Sequence, residues 1–172
     1  GWAATGRVNM KLADLGNLTA TAKHATDGFG GLEQKISQRL QESQTDYGAT
    51  ASIQTDKFIP KNDKIGIRLP MFASYDHKNI SPKFDPTNPD VQLDRSVQNK
   101  PESEQEPYRQ LVEDNTTRRS ISFTNIQKVK VNPKAKKRIY DIENINMTLG
   151  YSDIKRTNVN IESYFSKNYK AG

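Results

Sequence analysis

Trp2-Ala3-Ala4-Thr5-Gly6-Arg7-Val8-Asn9-Met10-Lys11-Leu12 is the stretch on which the reading of the fold turns. Trp2, Ala4, Val8, Met10 and Leu12 share one parity, and Thr5, Arg7, Asn9 and Lys11 take the other. Successive side chains of a strand point to opposite faces, so the spacing predicts a strand with one greasy and one polar face. Asp14 to Asn17, with Gly16, is turn chemistry. Leu18, Ala20 and Ala22 then repeat the pattern against Thr19, Thr21 and Lys23. Together they predict a hairpin of Thr5–Ala13 with Leu15–Lys23.

The same period recurs outward from this hairpin. Tyr47, Ala49, Ala51 and Ile53 alternate with Gly48, Thr50, Ser52 and Gln54, a third strand. After a turn at Pro60–Asp63, Ile65, Ile67, Leu69, Met71, Ala73 and Tyr75 make the longest clean alternation, with Phe72 an apolar exception. Pro70 removes a ladder donor there, which predicts an edge position or a bulge. From Arg118 onward, Ile121, Phe123, Val129 and Val131 keep one parity, while Asn125 and Gln127 break it and Ile126 takes the other face. One extra residue near Asn125, a β-bulge, accounts for the slip. Ile145, Met147, Leu149 and Tyr151 alternate with Asn144, Asn146, Thr148 and Gly150. Following a connection at Ser152–Thr157, Val159 and Ile161 alternate with Asn158, Asn160 and Glu162 and lead to Tyr164, Phe165 and Tyr169.

The connections differ in character. Asp27-Gly28-Phe29-Gly30-Gly31 breaks the sheet, and Leu32, Ile36 and Leu40 behind it fall four apart, a short helix with a narrow apolar stripe. Residues 79–117 are a long acidic, Pro-rich loop with no strand period, holding five of the eight prolines and possible helical turns at Glu106–Asp114. Asn132–Arg138 is a basic turn. Short turns alternate with long loops until the last connection, as in an up-and-down barrel. The fold class expected is all-β: an antiparallel up-and-down meander of about seven strands of roughly 9–12 residues, with long loops carrying short helices. Strands of that length, tilted, cross a bilayer in an outer-membrane barrel, so the meander carries the pattern of barrel strands.

Composition narrows the classes. The 172 residues carry 26 basic and 20 acidic side chains, a net charge of +6, and 33% apolar residues. The mean hydropathy is −0.86 and the pI about 9.4. With no Cys there is no disulfide framework, thiolate metal site or thiol nucleophile. No apolar run approaches 18 residues, so no helix is expected to span a membrane, and no signal-peptide pattern opens the chain. Beginning at Gly1 rather than Met, the sequence reads as an internal fragment, 1–172, of something larger without separate domains.

Few residues suggest chemistry. Asp85, Asp90 and Asp94 in Asp85-Pro86-Thr87-Asn88-Pro89-Asp90 present oxygens, but an EF-hand's glycine and terminal Glu are missing, and a proline-stiffened loop with Asx turns explains them. Asp76 beside His77 lacks a nucleophile and an orienting group, so surface histidine is the better reading. Gly28-Phe29-Gly30-Gly31 lacks the Lys and Ser/Thr of a P-loop. Arg118 to Tyr140 holds eight basic residues and no acid, yet only Phe123 and Tyr140 are there to stack on bases. A solvated face or contact with anionic lipid headgroups fits that stripe better than nucleic acid. No catalytic, cofactor-binding or metal residue is assigned, and no enzyme activity or cofactor is expected. Trp2, Tyr47, Tyr75, Tyr151 and Tyr164 sit near strand ends, where rings line membrane interfaces.

Several blocks carry a resemblance. They are Gly1-Trp2-Ala3-Ala4-Thr5-Gly6-Arg7-Val8-Asn9, Gly28-Phe29-Gly30-Gly31-Leu32-Glu33-Gln34-Lys35, Leu69-Pro70-Met71-Phe72-Ala73-Ser74-Tyr75 and Pro82-Lys83-Phe84-Asp85-Pro86 with Asn88-Pro89-Asp90. Thr117-Arg118-Arg119-Ser120-Ile121-Ser122-Phe123-Thr124-Asn125, Ile139-Tyr140-Asp141-Ile142-Glu143-Asn144 and Tyr151-Ser152-Asp153-Ile154-Lys155-Arg156-Thr157-Asn158 continue the set. In this order they resemble an internal segment of the SprA (Sov) family, the very large outer-membrane translocon of the type 9 secretion system in Bacteroidetes, tied to gliding motility. The resemblance implies a giant single-chain β-barrel that passes folded cargo outward, and about seven strands would then be an arc of that large outer-membrane barrel. It implies secretion-machine subunits, cargo proteins, outer-membrane lipid and the remaining strands of the parent chain as partners, and no catalytic residues.

On that reading the apolar face meets lipid: Val8, Met10, Leu12, Leu18, Ala20, Ile53, Ile65, Ile67, Leu69, Met71, Met147, Leu149, Val159 and Ile161. The opposite face, with Arg7, Lys11, Thr19, Thr21, Thr50, Arg68, Asn146 and Thr148, lines the water-filled lumen. Phe84, Asp85, Asp90 and Tyr108 in the long loop are the expected partner contacts. The alternative is a soluble antiparallel interaction or adhesion module at the cell surface, its apolar face packed on a second sheet.

Overall fold

The computed structural model describes residues 1–30, 33, 35, 41–59, 66–129 and 146–172. Four long strands and one short one precede the central connection: β1 (Ala3–Leu12), β2 (Gly16–Ala25), β3 (Glu42–Gln54), the short β4 (Gly66–Arg68) and β5 (Pro70–Pro82). The connection carries β6 (Phe84–Asp85), β7 (Asn88–Gln92), α1 (Leu93–Gln98) and α2 (Glu102–Val112). Then follow β8 (Asp114–Val129), β9 (Met147–Asn158) and β10 (Ile161–Ala171).

The main sheet runs β1-β2-β3-β5-β8-β9-β10, with β4 joined to β8. Every pairing is antiparallel. The result is an open meander of seven long strands, the architecture the alternation predicts. The first hairpin turns tightly, with the Leu15 amide donating to the Leu12 carbonyl at 2.8 Å. Gly16 follows with φ +144°, and a Cβ there would lie 1.8 Å from the Ser52 carbonyl oxygen of β3. Only glycine lets the turn close that near a neighbouring strand.

Three features differ from the sequence expectation. Pro70 sits in the interior strand β5, not at a sheet edge, because it is that strand's first residue, where its missing N–H breaks no ladder. Strand pairing continues to Pro82 and resumes at Asp114, so the connection expected over 79–117 is shorter and holds a small hairpin and two helices. Ser152–Thr157, expected as a connection, is the body of β9, and the turn falls at Val159 and Asn160. Charged residues on both faces there had hidden the strand period. The slip at Asn125 is real: the β8–β9 register shifts between Phe123 and Ile126, and Asn125 takes φ +57°. The helix expected at Leu32, Ile36 and Leu40, the Pro60–Asp63 turn and the Asn132–Arg138 turn lie outside the described residues.

Among the described residues the buried apolar side chains are Leu93, Val97 and Val112, with Tyr108 packed against them. All belong to the helical connection. The sheet itself buries no apolar side chain; Val8 and Met10 are 62% and 50% exposed.

Candidate functional site

Directly opposed residues of paired strands share a face, so the registers build the two surfaces row by row. One apolar row is Leu12–Gly16–Ile53–Met71–Phe123–Leu149–Ala171. The next is Met10–Leu18–Ala51–Ala73–Ile121–Tyr151–Tyr169. A third begins Val8–Ala20–Ala49–Tyr75 and then changes character to Arg119–Asp153–Lys167. The opposite face is mostly polar, with Phe72 and Ile154 among the apolar exceptions. Its central row, Asn9–Thr19–Thr50–Ser74–Ser120–Ser152–Asn168, has no apolar member. Hydroxyls and amides bond along it, Ser74 Oγ to Ser120 Oγ at 2.8 Å and Thr19 Oγ1 donating to Asn9 Oδ1 at 2.9 Å.

The residues singled out from the sequence distribute as follows. Val8, Met10, Leu12, Leu18, Ala20, Ile53, Met71 and Leu149 fall in the apolar rows, and Met147 follows at Ile126 beyond the bulge. Arg7, Lys11, Thr19, Thr21 and Thr50 fall on the polar face, as does Thr148. Ile67 and Arg68 lie on β4, Leu69 joins β4 to β5, and Asn146 precedes β9. Ile65 is outside the described residues. Val159 occupies the β9–β10 turn and Ile161 the first position of β10, away from the apolar rows. Phe123 and Ile121 complete those rows, and the broken parity of β8 hides this in the sequence.

Trp2, Tyr47, Tyr75, Tyr151 and Tyr169 of the apolar face fall on a diagonal, with Phe123 to one side of it and Phe165 to the other. Trp2 stands next to His24 at a ring distance of 5.0 Å, and Tyr47 next to His77 and Tyr75 at 4.9 and 6.3 Å. Tyr151 pairs with Tyr169 at 5.1 Å. Along the registers, the line descends four rows, eight residues, from Trp2 on β1 to Tyr169 on β10, six strands away. At strand rise and spacing this is about 26 Å along the strands against about 29 Å across them, a slope of about 40°. The aliphatic rows lie below this line, and Phe165 lies above it. Tyr164, expected in the aromatic group, opposes Arg156 on the polar face, and Tyr169 takes its place.

The helical connection is held together from within. Asp85 is 2% exposed and accepts from the Thr87 amide at 2.8 Å, Thr87 Oγ1 at 2.7 Å and the Tyr108 hydroxyl at 2.7 Å. Burial alone would raise its pKa, but hydrogen bonds from Ser96, Tyr108 and Thr87 outweigh it and hold the carboxyl at about 2. Asp85 and Tyr108 thus staple the connection from within, Asp85 buried and Tyr108 half-buried, while Phe84 and Asp90 are exposed. Arg109 binds Asp94 and Glu113 at 3.2 and 3.4 Å, tying α2 to α1 and to the start of β8.

The residues that suggested chemistry are used structurally. Asp76 and His77 point to opposite faces of β5, so they do not act as a pair; His77 Nδ1 meets Thr117 Oγ1 at 2.9 Å. Among the described residues no group of three or more His, Asp or Glu side chains is placed to hold a metal ion. No helix among them is long and apolar enough to cross a membrane, which leaves crossing by strands open. Residues 1–97 match a family model described as motility related/secretion protein. A search of curated proteins finds no match.

Proposed function

The chain belongs to the SprA_N family of motility related/secretion proteins, and from that premise we propose that it forms an arc of wall in the outer-membrane translocon of a type 9 secretion system. The observation that carries the proposal is the diagonal aromatic line with an apolar band beneath it. Barrel strands tilt about 35–45° from the membrane normal, and interfacial aromatics lie in a horizontal girdle. In the frame of the strands, a horizontal girdle becomes a diagonal of that slope. A soluble sandwich has no reason to set its rings on such a line.

In this reading the apolar rows face lipid and the polar rows face a water-filled lumen. The chain supplies no reaction; it is a passive conduit for folded cargo, and the helical connection with exposed Phe84 and Asp90 meets secretion-machine subunits or cargo. The edge strands β1 and β10 continue into further strands of the parent barrel, since unpaired strand edges do not persist in hydrocarbon.

Met71→Arg in the full-length protein tests the face assignment. At mid-bilayer it should cost roughly 2–4 kcal/mol and reduce insertion and secretion, whereas Ser74→Arg, on the polar face, should insert normally. Normal insertion of Met71→Arg would overturn the assignment.

A further inference from the structure

Beside the aromatic line, the apolar face carries one concentrated patch of charge. On β8–β10 the row just beyond Tyr151 and Tyr169 is Arg119–Asp153–Lys167, and Lys155 stands in the row after. Asp153 is 7% exposed, with Arg119 Nε 3.9 Å from its carboxylate. Arg119, Lys155 and Lys167 are exposed. Three cations against one carboxylate leave the patch positive by 3 − 1 = +2. Phe165 lies open beside Lys167, whose ammonium stands 5.0 Å from the ring centre. The corresponding positions beyond the line on β3 and β5 are Thr45, His77 and Asn79, with no Lys or Arg. On the α2 side Lys155 also lines a groove with Glu106, Arg109 and Glu113; Arg109 and the Asn79 amide, at 2.8 Å, engage Glu113, and Glu106 lowers the net charge of the surface to 2 − 1 = +1.

We propose that Arg119, Lys155 and Lys167 form a binding site for the phosphate of an anionic lipid headgroup on the outer surface of the barrel. The inference rests on the lipid-facing reading of the apolar rows. Ile121, Leu149 and the Tyr151–Tyr169 pair lie on the same face one or two rows below the cations. An acyl chain lies on that apolar surface, and the phosphate reaches the cations at headgroup depth. Asp153 holds Arg119 in place, while the two lysines extend their stems along the sheet and present their charges to the interface.

The test is retention of lipid by the full-length protein, reconstituted in vesicles of phosphatidylcholine with a minor fraction of phosphatidylglycerol and then extracted. Wild type should retain phosphatidylglycerol above its bulk fraction. Each cation removed should lower that retention about fivefold, the equivalent of about 1 kcal/mol per charge near an anionic surface. Lys155→Gln with Lys167→Gln leaves the Arg119–Asp153 pair intact and guards against a folding defect. Lys78→Gln with Lys170→Gln, on the polar face, should leave retention unchanged. Unchanged retention in the Lys155/Lys167 double variant, or equal loss from the polar-face pair, overturns the site while the barrel reading stands. Displacement of the lipid by millimolar inorganic phosphate reassigns the site to free phosphate and also overturns it. Failure of wild type to insert into vesicles of either composition overturns the barrel reading and the site with it.

Discussion

At the residue scale, Asp85 shows how an apparently exposed loop acquires rigidity. A carboxylate with three or more donors is stabilised as the anion, and its pKa near 2 records this. Because the folded value lies below the unfolded one of 3.8, the stabilisation is complete above the unfolded pKa and is lost as pH falls through about 2. It amounts to about 2 kcal/mol for the connection. Asp85→Ala should therefore raise amide exchange across 83–113 at neutral pH while leaving β1–β3 unchanged, and at pH 2 the variant and wild type should converge. Reading the sequence, Asp85 looked like a contact or ligand residue. Its role was not legible because Tyr108, 23 positions away, donates one of the bonds that bury it.

At the element scale, the first hairpin is the most legible part of the chain. Its pairing runs from Ala3↔Ala25 to Leu12↔Gly16, with Val8, Met10, Leu12, Leu18, Ala20 and Ala22 sharing one face. The strict alternation forbids a one-residue slip, which would send all of them to the polar side. Gly16 adds a constraint of its own. Gly16→Ala should cost about 1–3 kcal/mol through backbone strain, with further loss from collision with Ser52, and lower the thermal stability of the folded full-length protein. A melting midpoint equal to wild type would show that the turn relaxes freely. β9 is the opposite case. Asp153 and Lys155 occupy the face that is apolar in its first half, so the period that marks a strand fades at Ser152. The ladder to β8 and β10 sustains the strand regardless, because backbone pairing is indifferent to the side chains above it.

At the scale of the whole molecule, the sheet presents two open faces and a cap with its own small core. The proposed girdle makes a quantitative statement about how the sheet stands in a bilayer. Single cysteines stepped along the apolar face, probed with a membrane-impermeant maleimide in the intact membrane, should trace a protected segment. Its boundary should slide by about eight residues between β1 and β10, following the line from Trp2 to Tyr169. A boundary level with the strand rows would remove the tilt and with it the membrane reading. Cysteines along the row from Asn9 to Asn168 should react through the lumen.

Alternation of side chains alone determined that this chain is a meander of long antiparallel strands with unlike faces, because parity is a local property of the backbone. The low apolar fraction followed from the same cause: half of each strand is polar, and among the described residues the sheet buries no apolar side chain. Tertiary structure decided what parity cannot carry. Relative register across seven strands aligned Trp2, Tyr47, Tyr75, Tyr151 and Tyr169 on one slope and gathered Arg119, Asp153, Lys155 and Lys167 beside it. Those residues are up to 167 positions apart, from Trp2 to Tyr169, and only hydrogen-bonded pairing between strands determines which of them become neighbours.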